Sequence, residues 1–203
     1  MKIENKILFL GESDSPLIKW LQQKGEHVTI INHKITVDYI LEKSFYFLIS
    51  YGYRHIIKAD ILDLFPNRAI NLHISYLPYN RGADPNFWSF IEGSPKGVTI
   101  HYINEGIDTG DIIVQRKVVF ELLKIETLAS TYQKLHKTIQ LLFFENWELI
   151  KQKKCARTAQ QGKATIHRLK DKEQLFFLIE KDGWNTKIST LVDYSKKINN
   201  YEN

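Results

Sequence analysis

Two short segments of this chain carry side chains that can move protons and stabilise negative charge. Asn71 and His73 stand two residues apart at the end of a predicted strand, so on an extended backbone their side chains point to the same face. A carboxamide can donate to a developing oxyanion, and an imidazole can transfer protons near neutral pH. The second segment is a turn bracketed by glycines that carries the carboxylates of Asp108 and Asp111. Taken alone, each segment is better explained as an ordinary strand end or turn.

The elements that must position these residues alternate between strand and helix along the first half of the chain. Short apolar runs predict strands at residues 7–10, 27–31, 45–50, 69–72, 98–103 and 111–119. Helical spacing and capping signals predict a helix from Pro16 that ends at Gly25, and further helices at residues 37–43, 59–64, 86–92 and 127–152. This alternation is typical of parallel β-α-β units and predicts an α/β fold. The loop at residues 75–85 follows the strand of Asn71 and His73, which is where open α/β sheets bind ligands.

Length and composition restrict the class of protein. The chain has 203 residues, of which 43% are hydrophobic, and it can bury one sizeable core. Its single cysteine, Cys155, excludes an intrachain disulfide framework and a thiolate zinc cluster. No apolar run approaches the roughly 20 residues of a spanning helix, and the N-terminal strand is too short for a signal peptide. We therefore expect a cytoplasmic protein that does not insert into membranes.

The formal net charge of +5 arises in the last part of the chain, where residues 151–203 hold 12 basic and 6 acidic side chains. These lysines are scattered and no base-stacking pattern accompanies them, so a solvated surface is favoured over a nucleic-acid-binding arm. The segment after the first strand matches neither a dinucleotide-binding nor a P-loop pattern. The histidines at residues 27, 33, 101, 136 and 167 lack metal-ligand spacing, so we expect them to be structural and predict no metal site.

Taken together, the two segments resemble the signature of the folate-dependent formyltransferases. The first reads NLHISYLPYNRG at residues 71–82, and the second reads IDTGDI at residues 107–112, with 37 residues from Asn71 to Asp108. The order, spacing and flanking strands match across residues 47–119. That family includes enzymes that formylate glycinamide ribonucleotide, methionyl-tRNA and nucleotide-linked amino sugars. The turn at residues 93–97 is one residue shorter than is usual in the family, and we expect the difference to be absorbed outside the site.

This resemblance implies a Rossmann-like, mostly parallel sheet with flanking helices, plus a small C-terminal extension. It implies 10-formyltetrahydrofolate as the formyl donor, without a metal. Asn71, His73 and Asp108 match the catalytic residues of the family: Asn71 would stabilise the oxyanion, His73 would support the proton shuttle, and Asp108 would accept the proton of the attacking amine. Two further segments match the backbone that binds the pterin of the folate, and they comprise Tyr53, Arg54, His55, Ile56, Asn104, Glu105, Gly106 and Ile107.

The surroundings of these residues resemble most the sugar N-formyltransferases, whose acceptors include dTDP-4-amino-4,6-dideoxyglucose for surface polysaccharides such as the O-antigen of lipopolysaccharide. Tyr79, Asn80 and Arg81 are candidate acceptor contacts, although Asn80 and Arg81 are about equally consistent with bracing the loop. The segment after the first strand does not resemble the phosphate loop of the glycinamide ribonucleotide enzymes. The residues after the long helix are too few for the second domain of the methionyl-tRNA enzymes. We predict a catalytic domain at residues 1–153 and a small extension at residues 154–203.

Two alternatives stay open at this stage. One is another member of the same family, of the glycinamide ribonucleotide or methionyl-tRNA type. The other is a non-catalytic binding module with the same fold, because a fold alone does not establish an activity. Salt-dependent retention on nucleic acid without folate-dependent turnover would favour the binding module. The sequence predicts folate and a nucleotide-linked amino sugar as partners, predicts no nucleic acid or membrane partner, and leaves a homodimer open.

Overall fold

The chain folds into two compact units, each built from separate stretches of sequence. The computed structural model describes residues 6–201. The first unit holds the chain up to His73 with Ile100–Val114 and Gln140–Ala159, and the second holds Ile74–Thr99, Gln115–Ile139 and the chain from Gln160 onward. The two compact units do not correspond to the predicted catalytic domain at residues 1–153 and extension at residues 154–203, because each unit combines separate stretches of the chain. The division into those two domains stays a prediction.

Eight strands lie within the described residues, and six of them form one sheet. In chain order the strands are β1 (Lys6–Gly11), β2 (His27–Ile31), β3 (Phe47–Tyr51), β4 (Ala69–His73), β5 (Arg81–Gly82), β6 (Gly97–Tyr102), β7 (Ile112–Lys117) and β8 (Ile166–His167). The sheet has the order β2-β1-β3-β4-β6-β7, and β1 is parallel to β2 and β3, as β3 is to β4. The prediction of an α/β fold with a mostly parallel sheet is confirmed.

The described residues form six helices, of which the first five follow the predicted positions. They are α1 (Pro16–Gln23), α2 (Val37–Lys43), α3 (Ala59–Leu62), α4 (Pro85–Ile91), α5 (Leu128–Lys151) and α6 (Ile188–Tyr201), with 3₁₀ segments at Leu169–Leu178 and Gly183–Asn185. The predicted ends of α1–α5 differ from these by about one or two residues, which is the usual uncertainty of a helix end. Among the described residues, no helix combines the length and apolar character needed to cross a membrane.

The core of the first unit packs around parallel strands that end at a common edge of the sheet. Phe47, Leu48 and Ile49 of β3 are fully buried, as expected for a parallel strand that is covered on both faces. Pro16 begins α1, where its missing N–H costs no hydrogen bond, and the helix buries its apolar positions Leu17, Ile18 and Leu21. Because β1, β3 and β4 are parallel, their carboxyl ends lie at the same edge of the sheet.

The second unit contains one pairing that the sequence analysis missed. Residues 75–85 were expected to form a loop, yet Arg81–Gly82 forms β5 and pairs in parallel with β8. The partner strand comes from the far end of the chain, so no local pattern indicates the pairing. In the same unit α4 buries Phe87, Trp88 and Phe90 and packs against α6. Trp88 therefore belongs to the core of the second unit.

Candidate active site

The structure brings Asn71, His73 and Asp108 together at the end of β4. The Asn71 Nδ2 atom donates to Asp108 Oδ1 at 3.0 Å. The His73 Nδ1 atom lies 3.5 Å from Asp108 Oδ2, and both side chains are largely shielded from water. Each carboxylate oxygen of Asp108 therefore faces one of the two side chains that β4 directs to this side. A hydrogen-bond donor, an imidazole and a carboxylate in contact form an arrangement that can hold an oxyanion and relay a proton.

The turn that carries Asp108 depends on close backbone packing. Asp108 has a positive φ of 51°, a conformation that Asp and Asn tolerate better than other side chains. At Gly110 an added Cβ would lie 1.7 Å from the Tyr102 carbonyl oxygen, so only glycine fits. The Asn104 Oδ1 atom accepts from the Gly106 N–H at 3.2 Å and from the Thr109 hydroxyl at 2.6 Å. These two hydrogen bonds to the Asn104 side chain stabilise the turn.

Arg157 holds the end of this turn from a segment that follows α5. Its Nε and Nη2 atoms each lie 3.1 Å from Asp111 Oδ2. Its guanidinium also lies over the Tyr102 ring, 4.3 Å from the centroid, and donates to Asn67 Oδ1. Next to it, Thr158 and Ile112 exchange two backbone hydrogen bonds of 2.8 and 3.0 Å. Sequence analysis missed Arg157, because nothing near it in the chain indicates that its partner is a residue of the predicted site.

His101 on β6 is a further member of the cluster. The side chain is buried, and its Nε2 atom lies 3.4 Å from Asp108 Oδ1 and 3.3 Å from Asn71 Nδ2. Its Nδ1 atom lies 2.8 Å from the Tyr102 carbonyl oxygen, so a tautomer protonated at Nδ1 donates there and leaves Nε2 as an acceptor for the Asn71 amide. The expectation that His101 is structural did not place it beside Asn71 and Asp108. It rested on sequence spacing, whereas β6 lies beside β4 in the sheet.

The first predicted folate segment borders a cavity at the carboxyl ends of β1–β3. The cavity has a volume of about 240 Å³, and Tyr53, Arg54 and His55 line it with Gly11, Glu12, Asn32 and Gly52. Arg54, His55 and Ile56 are exposed, whereas burial raises the pKa of Tyr53 and its hydroxyl donates to the His33 carbonyl oxygen at 2.9 Å. Glu12 and Asn32 were not predicted to lie here. In the second predicted segment Asn104, Glu105, Gly106 and Ile107 are all exposed.

The candidate acceptor residues of the second unit are braced by the C-terminal part of the chain. Asn80 is fully buried; its Nδ2 atom donates to Glu92 Oε2 at 2.8 Å and its Oδ1 atom accepts from the Ser94 hydroxyl at 2.7 Å. The Arg81 Nε and Nη2 atoms donate to Gln160 Oε1 at 3.2 and 2.7 Å. This burial disfavours a direct acceptor contact by the Asn80 side chain. Tyr79 and Arg81 are only partly buried and remain candidates.

The bracing continues through Glu92, which joins the C-terminal segment to α4. Its Oε2 atom accepts from the Thr165 hydroxyl at 2.9 Å, and its Oε1 atom lies 2.6 Å from His167 Nε2. The His167 ring stacks on Trp88 with centroids 3.9 Å apart. Within residues 6–201, no group of three or more His, Cys, Asp or Glu side chains is arranged to hold a metal ion.

Comparison with known proteins shows that this chain is similar to formyltransferases. The family model described as "Formyl transferase" matches residues 19–145. The crystal structure of the formyltransferase PseJ from Anoxybacillus kamchatkensis is 47% identical with a TM-score of 0.88, and the match covers 94% of this chain and 99% of that chain. That crystal structure is a complex with UDP-4,6-dideoxy-4-formamido-L-AltNAc and tetrahydrofolate.

More distant relatives agree on the fold. A 4-N formyltransferase from Francisella tularensis is 22% identical with a TM-score of 0.73, covering 85% of this chain and 80% of that chain. The methionyl-tRNA formyltransferase of Pelotomaculum thermopropionicum is 32% identical over 148 residues, which are 72% of this chain and 44% of that protein. The chain thus spans less than half the length of the curated relatives it matches.

Proposed function

This chain belongs to the formyl transferase family, and we propose that it transfers a formyl group from 10-formyltetrahydrofolate to the amine of a nucleotide-linked amino deoxysugar. The observation that carries the proposal is the contact of Asn71, His73 and Asp108 at the end of β4. The 47% identity to PseJ over nearly the whole of both chains supports the sugar as acceptor. The proposed enzyme needs the folate as a co-substrate and no metal.

Formyl transfer requires these side chains to stabilise an oxyanion, to accept the proton of the amine and to deliver a proton to the folate. When the neutral amine attacks the formyl carbon, a C–N bond forms and the carbonyl oxygen becomes an oxyanion. The Asn71 amide stabilises it by turning towards it the N–H that otherwise faces His101 Nε2 at 3.3 Å. Asp108 accepts the proton that the attacking nitrogen must lose. His73, at 3.5 Å from Asp108 Oδ2, relays a proton to the folate N10 as its bond to the formyl carbon breaks. The products are a formamide and tetrahydrofolate.

The folate is proposed to lie along the two exposed segments at residues 53–56 and 104–107. Recognition through backbone groups fits the turn at Asn104, whose side chain is occupied by Gly106 and Thr109. The exposed backbone of this turn leads directly to Asp108, which would place the formyl group near the carboxylate. We assign the pterin contacts to Tyr53, Arg54, His55, Ile56, Asn104, Glu105, Gly106 and Ile107.

The acceptor is proposed to be a UDP- or dTDP-linked 4-amino-4,6-dideoxy sugar. The support comes from the ligand of PseJ, which carries a formamido group at position 4 of a 4,6-dideoxy sugar. We further propose that the product serves surface polysaccharide synthesis, such as that of O-antigen and lipopolysaccharide, in the cytoplasm. Because the lysines of residues 151–203 are scattered, we expect neither nucleic acid nor membrane as a partner, and a homodimer is the assembly to test.

A mass-spectrometric assay tests the proposed function. The chain is incubated with 10-formyltetrahydrofolate and a panel of UDP-, dTDP- and GDP-linked amino sugars, with glycinamide ribonucleotide and methionyl-tRNA in parallel. We expect the gain of one formyl group on a nucleotide-linked 4-amino sugar, unchanged by a chelator. A second candidate function is the formylation of methionyl-tRNA, which rests on the 32% identity over 148 residues to a methionyl-tRNA formyltransferase. Formylation of methionyl-tRNA alone would favour it. Turnover that a chelator abolishes and zinc restores would contradict the metal-free mechanism.

A further inference from the structure

The carboxylate of Glu92 collects hydrogen-bond donors from segments that lie far apart in the chain. Its Oε2 atom accepts from Asn80 Nδ2 at 2.8 Å and from the Thr165 hydroxyl at 2.9 Å. Its Oε1 atom lies 2.6 Å from His167 Nε2, which donates to it because a carboxylate can only accept. One side chain thus joins the end of α4, the residues before β5 and the strand β8, all within the second unit.

The stability of α4 does not explain a carboxylate at this position. Glu92 follows the last residue of the helix, where the helix dipole favours cations and opposes a negative charge. Its side chain is only 24% exposed, so the charge has also lost much of its contact with water. The backbone N–H of Glu92 donates to the Trp88 carbonyl oxygen, and almost any other residue would end the helix in the same way. The position therefore suits the donors that the carboxylate meets.

The same donors hold the backbone around Asn80. The Asn80 N–H donates to Thr165 Oγ1, and the Arg81 N–H donates to the Thr165 carbonyl oxygen, each at 2.9 Å. The Ala83 N–H donates to the His167 carbonyl oxygen at 2.8 Å. Asn80 is fully buried and has a positive φ of 53°, which asparagine tolerates better than most residues. The chain therefore turns at a residue that is held through both its backbone and its side chain.

Tyr79 and Arg81 flank this turn and are the partly buried candidates for contact with the acceptor. The Tyr79 carbonyl oxygen accepts from the Ser75 hydroxyl at 2.8 Å, and the Arg81 guanidinium donates to Gln160 Oε1. The directions of two side chains on either side of a turn depend on the conformation of the residue between them. A change at Asn80 would therefore redirect both Tyr79 and Arg81.

We propose that Glu92 is a positioning residue for acceptor binding, which holds Asn80 and thereby keeps Tyr79 and Arg81 in the directions that contact the acceptor. The inference rests on the proposed function, because it needs an acceptor for these two side chains to contact. Glu92 itself takes no chemical role, since both of its oxygens are occupied by protein donors. Its loss should weaken acceptor binding and leave the chemical step unchanged.

Steady-state kinetics of the full-length chain with a UDP-linked 4-amino-4,6-dideoxy sugar and 10-formyltetrahydrofolate test the proposal. We expect Glu92→Ala to raise the acceptor KM about tenfold, with kcat and the folate KM within about twofold of the wild type. Glu92→Gln should stay near the wild-type KM, because its carbonyl oxygen still accepts from Asn80 and Thr165. Its amide can also donate to His167 Nε2 once the ring proton is on Nδ1. Glu121→Ala removes an exposed carboxylate of the same unit and serves as the control.

Thr165→Val tests whether Glu92 acts through the turn at Asn80. Valine has nearly the shape of threonine but lacks the hydroxyl that bonds both Glu92 and the Asn80 N–H. The variant should raise the acceptor KM, and combining it with Glu92→Ala should add little, because the two changes break one network. Amide hydrogen exchange without substrates gives a readout independent of activity. Glu92→Ala should speed exchange at the Asn80 and Arg81 amides, whereas Glu92→Gln should not.

The outcomes separate this inference from the proposed function. Formylation with a wild-type acceptor KM in Glu92→Ala would leave the proposed function standing and overturn the inference. A lower kcat at unchanged KM, an equal KM increase in Glu92→Gln, or faster exchange throughout both units would also overturn it. If the wild type formylates no amino sugar while exchange at Asn80 and Arg81 still depends on Glu92, the proposed function fails and the role of Glu92 in positioning the turn stands.

Discussion

Asp108 is the residue on which the proposed chemistry depends most. Its two carboxylate oxygens lie within 3.5 Å of Asn71 Nδ2, His73 Nδ1 and His101 Nε2. The Asn71 amide and the His73 imidazole therefore fix the direction of its lone pairs before any substrate binds, and His101 acts on it through the Asn71 amide. An asparagine at this position tolerates the same backbone conformation but offers an N–H to at least one of these groups, and it accepts no proton.

Asp108→Asn is expected to lower kcat by roughly 10²-fold or more, because the lost proton acceptor acts mainly in the transition state. Binding of UDP and tetrahydrofolate should change little. Steady-state kinetics and calorimetric titration of the purified variant measure both quantities. Asp111→Asn is the comparison, since Asp111 lies in the same turn but has Arg157 as its partner. Equal losses of kcat in the two variants would reject the assigned role of Asp108.

The turn between β6 and β7 shows how one element positions the catalytic carboxylate. Strand alternation was enough to predict that Asn71 and His73 face the same side, and the glycine pattern marked the turn. The sequence could not predict three contacts of the site and its loop, because the paired residues lie far apart in the chain. These contacts are Arg157 with Asp111, His101 with Asn71, and Gln160 with Arg81, which are 46, 30 and 79 residues apart. Local periodicity describes strands and helices, whereas these contacts depend on how distant segments pack.

Arg157→Ala is expected to lower kcat about tenfold while leaving the free energy of unfolding within about 1 kcal/mol, because an exposed ion pair contributes little stability. The expected loss arises from a turn that holds Asp108 less firmly. Arg157→Lys should lose most of the same activity, since lysine reproduces neither the paired contact to Asp111 nor the stacking on Tyr102. Lys154→Ala removes an exposed charge from the same segment and serves as control. Unchanged kcat in Arg157→Ala would show that the turn needs no such support.

A histidine on α5 makes the stability of the protein depend on pH. Burial lowers the pKa of His136 to about 4, whereas the unfolded chain should titrate near 6.5. Between these values the unfolded state binds the proton and the folded state does not, so the free energy of unfolding falls as the pH falls from 6.5 towards 4. Between pH 7 and pH 5 this contribution is about 2 kcal/mol at most.

Urea denaturation of the wild type and His136→Gln at pH 7 and pH 5 measures this contribution. The variant should lose less stability on acidification than the wild type. His27→Gln replaces an exposed histidine and should behave as the wild type does. An identical pH dependence in wild type and His136→Gln would contradict the assignment.

At the scale of the whole molecule, the C-terminal part of the chain contributes a strand and a helix to the second unit. Its β8 pairs with β5, and at Gly82 an added Cβ would lie 2.3 Å from the His167 carbonyl oxygen. α6 contributes Ile188 and Leu191, which are fully buried, and packs on α4. Composition marked this region only as basic and weakly patterned, because its order comes from partners earlier in the chain.

A chain that ends at residue 159 is therefore expected to lose roughly 3–6 kcal/mol from the burial of Ile188 and Leu191 alone. Thermal unfolding followed by circular dichroism should show a lower Tm, and steady-state kinetics should show a raised acceptor KM, because Thr165 and His167 are then missing. A chain that ends at residue 198 keeps β8 and most of α6 and is the control. Wild-type Tm and acceptor KM in the shorter chain would show that residues 160–201 are dispensable to the second unit.

The central claim is that the Asn71, His73 and Asp108 cluster formylates a nucleotide-linked amino sugar. One competition experiment tests it directly: a UDP-linked 4-amino-4,6-dideoxy sugar and methionyl-tRNA are mixed with 10-formyltetrahydrofolate and the chain, and both products are followed in one vessel. With the two acceptors at equal concentrations, the ratio of initial rates gives the ratio of kcat/KM values. We predict formylation of the sugar at a rate that Asp108→Asn reduces at least about 10²-fold, with no formyl gain on the tRNA. Formylation of the tRNA in preference to the sugar, or sugar formylation that survives in Asp108→Asn, would contradict the account.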